Sequence, residues 1–115
     1  MSKKIILVRH GKAVSPDTFT RDIDRVLAQR GINDGYKVGE KLKSEGIVPD
    51  LILTSPAARA SHTALILSRT LNSGTNIIRV IKNFYHCSDD TFLDVIQDVH
   101  RLSSILSFRP YFLAA

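Results

Sequence analysis

Cysteine, aromatic side chains and long apolar runs are all scarce in this sequence, and each scarcity excludes a class of protein. The single cysteine, Cys87, excludes an internal disulfide framework and predicts a reducing compartment, which we take to be the cytoplasm. No apolar stretch approaches the length of a membrane span, and the apolar run at 5–8 is too short for a signal peptide. Aromatic residues make up 7% of the chain and lack the spaced pattern of single-strand nucleic-acid binders.

Nucleotide and metal motifs are missing as well. Gly11-Lys12-Ala13 lacks the upstream glycine of a phosphate-binding loop, and alanine stands where that loop needs a magnesium-binding hydroxyl. His86, Asp89 and Asp90 lack the ligand spacing of a strong metal site. No Gly-Xaa-Gly-Xaa-Xaa-Gly dinucleotide signature occurs. The sequence therefore predicts no cofactor and no metal.

The net charge of +5 predicts an anionic partner without identifying it. Nucleic acid, a phosphorylated small molecule and a phosphoprotein are all compatible with that charge. The basic residues are spread along the chain, so nucleic acid is not the expected partner, although a basic nucleic-acid-binding domain stays as an alternative. A content of 43% hydrophobic and 23% charged residues is typical of a folded chain, and 115 residues suit one domain, 1–115.

Strand and helix patterns alternate along the chain. Gly46 is expected to end the first helix, Pro49 leads into the second strand, and Ser88 is expected to cap the last helix. The predicted strands are 4–8, 50–54, 77–80 and 103–108, and the predicted helices are 32–45, 55–71 and one that follows Ser88. This alternation predicts an α/β fold, a three-layer sandwich with a mainly parallel sheet and right-handed crossovers.

The same patterns predict which faces are buried. Strand 4–8 is continuously apolar after its first residue, which predicts burial on both faces. Helical spacing predicts three buried faces: Ile32, Tyr36, Gly39 and Leu42; Ala60, Ala64, Leu67 and Leu71; and Phe92, Ile96 and Val99.

Two polar motifs follow the first two predicted strands. Arg9-His10-Gly11 follows strand 4–8, and Ser55-Pro56-Ala57-Ala58-Arg59 follows strand 50–54. In parallel sheets, ligands bind outside the carboxyl ends of the strands. The two motifs are therefore expected to lie on one rim of the sheet.

The residue types in these motifs suit phosphoryl chemistry. A neutral imidazole such as that of His10 is a competent nucleophile, and a phosphorylated imidazole can later be hydrolysed. Arg9 offers planar, bidentate donors that match phosphoryl oxygens, and Gly11 lets the backbone approach the anion closely. The alternative for this tripeptide is a histidine and an arginine on a wet surface.

The second motif begins a helix. We expect Ser55 to cap it, Pro56 to occupy its first turn, and its unpaired N–H groups to attract an anion. Arg59 is expected one turn into the helix, with its side chain leaning back to complete a clamp on a phosphate at His10. The alternative is that Arg59 is a solvated helix residue.

The sequence resembles the histidine phosphatase superfamily in three ordered segments. These are Leu7-Val8-Arg9-His10-Gly11-Lys12-Ala13, then Pro49-Asp50-Leu51-Ile52-Leu53-Thr54-Ser55-Pro56-Ala57-Ala58-Arg59-Ala60, then Thr63-Ala64. Its short form, free of insertions, is similar to the SixA-type phosphohistidine phosphatase branch. The resemblance implies a phosphoglycerate mutase-like fold, transient phosphorylation of His10, phosphoryl binding by Arg9 and Arg59, and no need for metal. His62 stands where many members carry glutamine.

A third polar segment, Tyr85-His86-Cys87-Ser88, follows the third predicted strand. The resemblance implies that this loop supplies a proton donor or a polar pocket group, and His86 could protonate a leaving group. The alternative is a loop histidine packed on Tyr85. Cys87 is expected to be buried, the alternative being a reactive thiol near the helix start.

The chain departs from the family pattern near its end. The resemblance leads us to expect a second essential histidine just after the fourth strand, and Arg109-Pro110 occupies that place. His100 is not a convincing substitute because it lies in the predicted last helix. The chain therefore looks C-terminally short, and a homodimer is expected to cover the sheet edge or face that this leaves exposed.

The sequence favours a phosphatase that passes a phosphoryl group from a phosphorylated protein or small phosphoester to His10 and then to water. No long insertion could form a lid, so we prefer protein phosphohistidine as the substrate. The first alternative, a catalytically impaired module that binds phosphate or phosphoprotein, follows from the missing histidine. The second is the nucleic-acid-binding domain named above.

Overall fold

The computed structural model describes residues 4–86, 88, 90–95, 97–98 and 111–114. Its strands are β1 (Lys4–Leu7), β2 (Leu51–Thr54), β3 (Ile78–Val80) and β4 (Tyr111–Ala114), and its long helices are α1 (Gln29–Ser44) and α2 (Ala58–Thr70). Residues 90–95 and 97–98 are also helical and form α3. Short 3-10 turns lie at Asp22–Asp24, Thr75–Ile77 and Lys82–Phe84.

All four strands run parallel, in the order β1-β4-β2-β3. Leu7 of β1 and Leu53 of β2 both lie opposite Ala114 of β4, so these two neighbours of β4 end within one residue of the same level. The predicted α/β fold with a parallel sheet is confirmed. The segments after β1 and β2 consequently leave the sheet on the same edge.

Helices cover both faces of β2, which gives the predicted three layers. On one face Ile52 packs with the α2 side chains Ala64 and Leu67, and with Leu71 just beyond the helix. The opposite face holds a second core of Leu51, Leu53 and Phe84, against which Phe92 and Val95 of α3 pack. The predicted buried face of α2 is confirmed, since Ala60, Ala64, Leu67 and Leu71 are all buried.

Ser88 caps α3 as predicted, its Oγ accepting the Thr91 N–H at 3.2 Å.

The prediction that strand one is buried on both faces is wrong. Ile6 and Val8 pack against the first core, but Ile5 is 40% exposed and Leu7 is 66% exposed. β1 is an edge strand, and among the described residues α3 covers the middle of that face rather than its edge. The homodimer expected to cover exposed sheet surface stays a prediction.

The predicted buried face of α1 is confirmed at Gly39, which is buried, and at Leu42, which packs against the first core, but it is wrong at Tyr36. The buried residues of α1 are Gly31, Gly35 and Gly39, whereas Tyr36 is 37% exposed. A Cβ on Gly35 would meet the Ile66 side chain at 3.3 Å, and one on Gly39 would meet Thr70 Cβ at 2.8 Å. Glycines one turn apart therefore bring α1 close to α2, and an analysis that weights apolar side chains misses such a face.

The structure shows a strand near the end of the chain, Tyr111–Ala114, that the sequence analysis did not predict. The expected strand 103–108, together with Ile96, Val99, His100, Arg109 and Pro110, lies outside the described residues. The strand that the structure shows is Tyr111–Ala114, a short apolar run placed between β1 and β2. A four-residue apolar run is enough for a central strand, which is why the sequence pattern alone did not settle the choice. The placement of Arg109 and Pro110 after the fourth predicted strand therefore stays a prediction.

We predict that Gly31→Ala lowers the free energy of unfolding by about 1–3 kcal/mol, the usual effect of overpacking. The new Cβ would lie against the backbone of Gly11 and Lys12, which cannot rotate away as a side chain can. Gly35→Ala is the matched control on the same helix. Its Cβ meets only the movable Ile66 side chain, and the gain of about 1 kcal/mol in helix propensity offsets that contact. Urea denaturation measures both, and equal stabilities for the two variants would contradict the prediction.

Candidate active site

A cavity of about 610 Å³ opens at the carboxyl-end rim of β1 and β2. Both polar motifs contribute to it, so the structure brings together residues that are separated by some fifty positions in sequence. Its lining residues are Arg9, His10, Gly11, Lys12, Ala13, Asp22, Arg25, Arg59 and His86. An adjoining cavity of about 250 Å³ shares His10, Arg59 and His86 and is otherwise lined by Ser55, Ala57, Ala60, Phe84, Tyr85 and Phe92.

His10 is half-buried between the two cavities. Its Nδ1 lies 2.8 Å from the carbonyl oxygen of Gly11. A carbonyl oxygen can only accept a hydrogen bond, so Nδ1 must carry the proton of this contact. In the neutral ring the unprotonated nitrogen is then Nε2, and its lone pair is available for attack.

Gly11 lines the larger cavity, as predicted, but its lack of a side chain has a second cause. A Cβ at Gly11 would stand 2.6 Å from the Cα and from the carbonyl oxygen of Gly31. The His10 segment is therefore pressed against the first turn of α1. The sequence predicted only that Gly11 lets the backbone approach an anion, and it did not indicate this contact between the backbones of Gly11 and Gly31.

The two arginines of the motifs differ in their surroundings. Arg9 is exposed, and within the described part of the chain it forms no ion pair. Arg59 is the second residue of α2, and its side chain is only 11% exposed. Its Nη1 donates to the Asp22 carbonyl oxygen at 2.8 Å and its Nη2 donates to Asp22 Oδ2 at 3.1 Å. Arg59 is thus not a solvated helix residue.

Ser55 does not cap α2, which corrects the sequence prediction. The helix begins at Ala58, with Ala57 at the N-cap position and no side-chain cap. Ser55 is buried beside the smaller cavity, and its Oγ accepts the Ala57 N–H at 3.3 Å. Pro56 together with this contact turns the chain before the helix, which shifts the start by two to three residues from the predicted one. The Ser55 hydroxyl hydrogen is left for donation to a ligand.

Asp22 is the centre of the hydrogen-bond network at this rim. Its Oδ2 accepts from Tyr85 Oη at 2.7 Å and from Arg59, while its Oδ1 accepts from Arg25 Nη1 at 2.9 Å. The Tyr85 hydroxyl, then the Arg25 and Arg59 guanidinium groups, hold the pKa of Asp22 far below its usual value. The same hydrogen bond to the carboxylate, together with partial desolvation, raises the pKa of Tyr85.

His86 joins this network from the loop after β3. Its Nε2 lies 3.2 Å from Asp22 Oδ2, and its ring centroid is 4.2 Å from that of Tyr85. The backbone of His86 has φ of +50°, a left-handed conformation that is uncommon for a side-chain-bearing residue. His86 lines both cavities, as a polar pocket group would, and it also packs on Tyr85, as the alternative predicted. Cys87 lies outside the described residues.

His62 belongs to a different part of the surface. It lines a cavity of about 440 Å³ between α1 and α2, together with Tyr36 and Arg69, and no residue of the two motifs contributes to that cavity. The histidine that stands in place of the family's glutamine therefore lines a cavity other than the two at the rim. Within the described ranges no group of three or more metal-ligating side chains occurs, and no described helix is long and apolar enough to cross a membrane.

A protein-family comparison matches residues 5–83 to the model of the histidine phosphatase superfamily, branch 1. That match covers both strand-end motifs and the turn that carries Asp22. The chain belongs to the histidine phosphatase superfamily.

Curated relatives are similar in sequence to part of the chain. An uncharacterised chloroplast protein of Arabidopsis thaliana is 41% identical over 63 residues, which are 55% of this chain and 29% of that protein. A 2,3-bisphosphoglycerate-dependent phosphoglycerate mutase of Nautilia profundicola is 38% identical over 71 residues, 60% of this chain and 31% of the mutase. The chain thus spans less than a third of the length of these relatives.

Solved structures match the whole fold. A SixA-type protein of Agrobacterium tumefaciens, assigned to the phosphohistidine phosphatases, superposes with a TM-score of 0.82 at 26% identity. The match covers 100% of this chain and 70% of that protein. A SixA protein histidine phosphatase solved with tungstate superposes with a TM-score of 0.79 at 20% identity, over 96% of this chain and 67% of that one. The SixA-type histidine phosphatase fold expected from the sequence is confirmed.

Sequence reasoning missed three groups of this rim site: Asp22, Arg25 and the hydroxyl of Tyr85. Opposite charges at positions 22 and 25 are spaced for a local ion pair, and that spacing was a usable signal. The contacts from Asp22 to Arg59 and to Tyr85 join residues 37 and 63 positions apart. No local pattern in a single sequence indicates contacts of that range.

We predict that the stability difference between the wild-type chain and Asp22→Asn shrinks in acid. The folded-state pKa of Asp22 is lowered, so its stabilising contribution is present above the unfolded-state pKa of about 4 and is lost as the pH falls below it. Asparagine cannot titrate, so its contribution does not change over this range. Urea denaturation at pH 6 and at pH 3 measures the difference. The pKa of Asp17 is also lowered, but both proteins contain Asp17, so its contribution cancels in the difference. The same difference in free energy of unfolding at both pH values would refute the prediction.

Proposed function

We propose that this chain forms the phosphoryl-transfer site of a phosphatase that uses His10 as its nucleophile. The observation that carries the proposal is the fixed tautomer of His10, whose Nδ1 bonds the Gly11 carbonyl inside a cavity that also holds Arg9 and Arg59. This arrangement leaves Nε2 free beside concentrated positive charge. Membership of the superfamily supports a phosphatase-type or mutase-type activity.

The proposed reaction has two displacements at phosphorus. The Nε2 lone pair of His10 attacks, and the bond from phosphorus to the leaving oxygen or nitrogen breaks with its electron pair going to that atom, which takes a proton. Water then attacks the phosphoryl group on His10, the phosphorus–nitrogen bond breaks, and the imidazole recovers its electron pair as inorganic phosphate leaves. No cofactor or metal is assigned a part in either step.

Positive charge supplies most of the catalysis in this scheme. Arg9 and Arg59 bind the equatorial phosphoryl oxygens, assisted by the backbone at Gly11 and the hydroxyl of Ser55. Preorganised cations stabilise the charge that spreads over those oxygens in the transition state. His86, which lines both cavities, is proposed as the proton donor to the leaving group.

Protein phosphohistidine is the proposed substrate. The smaller cavity beside His10 has aromatic walls from Phe84, Tyr85 and Phe92, which suit a planar imidazole leaving group. The described loops form no cover over the rim, and an open rim suits a phosphorylated protein side chain. The single cysteine predicts a reducing compartment, so we propose that the protein meets such substrates in the cytoplasm. The SixA-type assignment of the Agrobacterium protein agrees with this substrate, whereas the mutase relative acts on phosphoglycerate.

A phosphate-binding module without catalysis is the second candidate. The histidines that line the cavities within the described residues are His10 and His86, and the resemblance leads us to expect one more. If that third imidazole has no substitute, the same site binds a phosphoryl group without turning it over. The next experiment separates these two functions.

We predict that the full chain, incubated with phosphoramidate or with a phosphohistidine-containing protein, accumulates acid-labile phosphate on His10. Mass spectrometry under alkaline conditions locates the label, and His10→Ala is expected to abolish it. Arg59→Lys keeps the charge but not the fork, and we expect labelling to slow by about 10²-fold, the usual effect of losing one transition-state donor.

Arg69→Lys is the matched control for Arg59→Lys. Arg69 lies on the same helix but lines the 440 Å³ cavity, so its replacement is expected to leave labelling unchanged. Phosphate binding without label on His10 would support the binding module instead. Neither binding nor labelling would refute both candidates.

A further inference from the structure

One carboxylate, that of Asp22, receives donors from four side chains at the mouth of the larger cavity. Tyr85, Arg59 and His86 contact Oδ2 at 2.7, 3.1 and 3.2 Å, and Arg25 contacts Oδ1 at 2.9 Å. Neither strand-end motif contains Asp22. The proposed reaction gives it no chemical part, so this concentration of contacts requires a separate explanation.

The contacts show how Asp22 holds Arg59. A guanidinium group carries five N–H donors. Asp22 takes one from Nη1 through its carbonyl oxygen and one from Nη2 through its carboxylate, which leaves three for other acceptors. Asp22 therefore fixes the orientation of the Arg59 fork without using up its donors.

The charge balance of the cavity favours this interpretation over one in which Asp22 blocks the site. Arg9, Lys12, Arg25 and Arg59 line the cavity against the single carboxylate of Asp22, a net charge of +3 with the histidines neutral. A phosphoryl group still meets a cationic site. The low exposure of the Arg59 side chain, 11%, also means that without a partner its charge would be poorly solvated.

Asp22 is itself anchored to the segment that carries His10. Arg25, which holds Asp22 Oδ1, donates from Nε and Nη2 to the Val14 carbonyl oxygen at 3.0 and 2.8 Å. Backbone hydrogen bonds from Ala28 to Lys12 and from Val14 to Val26 close the loop on both sides. A continuous chain of contacts therefore connects the His10 segment through Arg25 and Asp22 to Arg59.

We propose that Asp22 is a positioning residue of the phosphoryl site, which holds the Arg59 guanidinium in register with His10. This inference rests on the proposed function, because it assigns Arg59 the task of binding a phosphoryl group. Asp22 acts through Arg59 and does not touch the phosphoryl group itself. Its removal should therefore matter only when Arg59 is present.

The test is a double-mutant cycle on oxyanion binding, which needs no turnover. Calorimetry measures the affinity of the full chain for tungstate, a tetrahedral phosphate analogue, in wild type, Asp22→Ala, Arg59→Ala and the double variant. We expect Asp22→Ala to weaken binding about tenfold or more, as for the loss of a charged hydrogen bond, and to have little effect when Arg59 is already alanine. Asp22→Asn, which keeps the shape, provides the same comparison should the alanine variant fold poorly.

Asp24→Ala is the matched control. Asp24 lies in the same 3-10 turn but pairs with the exposed Arg21 and does not line the cavity, so its loss should leave tungstate affinity unchanged. A second readout follows Arg59 directly: phenylglyoxal should modify Arg59 faster in Asp22→Ala than in wild type, as mapped by peptide mass spectrometry.

The possible results separate the two proposals. Tighter binding in Asp22→Ala would mean that Asp22 competes with the oxyanion, and unchanged binding would mean that it does not position Arg59. Either result overturns the positioning role while the proposed function stands. A wild-type chain that binds no tungstate would overturn the proposed function and the positioning role together.

Discussion

The parallel pairing of β1 and β2 with β4 is the constraint on which the site depends. Because Leu7 and Leu53 share Ala114 as their partner, the two strands end within one residue of the same level, and the segments that follow them leave the sheet on the same edge. His10 comes three residues after the first strand, and Arg59 comes five residues after the second. A change of register by even one residue would turn the outgoing segments and separate the imidazole from the guanidinium.

A second contact, between the backbones of Gly11 and Gly31, positions the loop that carries His10. The backbone of Gly11 lies so close to that of Gly31 that neither position accommodates a side chain. This contact holds the His10 loop against α1, while the hydrogen bond between His10 Nδ1 and the Gly11 carbonyl oxygen sets the orientation of the ring. Gly11 therefore takes part both in the packing against α1 and in the hydrogen bond that selects the tautomer of His10. The glycine stripe of α1 thus makes two contacts: Gly35 and Gly39 face α2, and Gly31 faces the loop that carries His10.

Much of the fold and of the candidate site could be predicted from the sequence because it depends on local patterns. The alternation of strands and helices, the buried face of α2 and the position of both motifs on one rim follow from periodicity and from the geometry of parallel sheets. Three features could not be predicted that way. The exposed side of Leu7 depends on which strand forms the sheet edge, the face of α1 is marked by missing side chains, and Asp22 finds its partners across long sequence separations. Each is decided by tertiary contacts that no short window contains.

In the proposed function, phosphoryl binding and substrate choice fall to different elements of the fold. A SixA-type protein shares this chain's architecture, and a phosphoglycerate mutase is similar to it in sequence over 60% of the chain. The residues that would grip phosphate, Arg9, His10 and Arg59, leave from β1 and from the start of α2, which are rigid elements. The walls of the adjoining cavity come instead from Phe84 and Tyr85, in the segment after β3, and from Phe92 of α3. A leaving group would contact those walls, so substrate choice is separable from phosphoryl binding in this fold. Asp22 connects the two parts, since its carboxylate bonds Arg59 on one side and Tyr85 on the other.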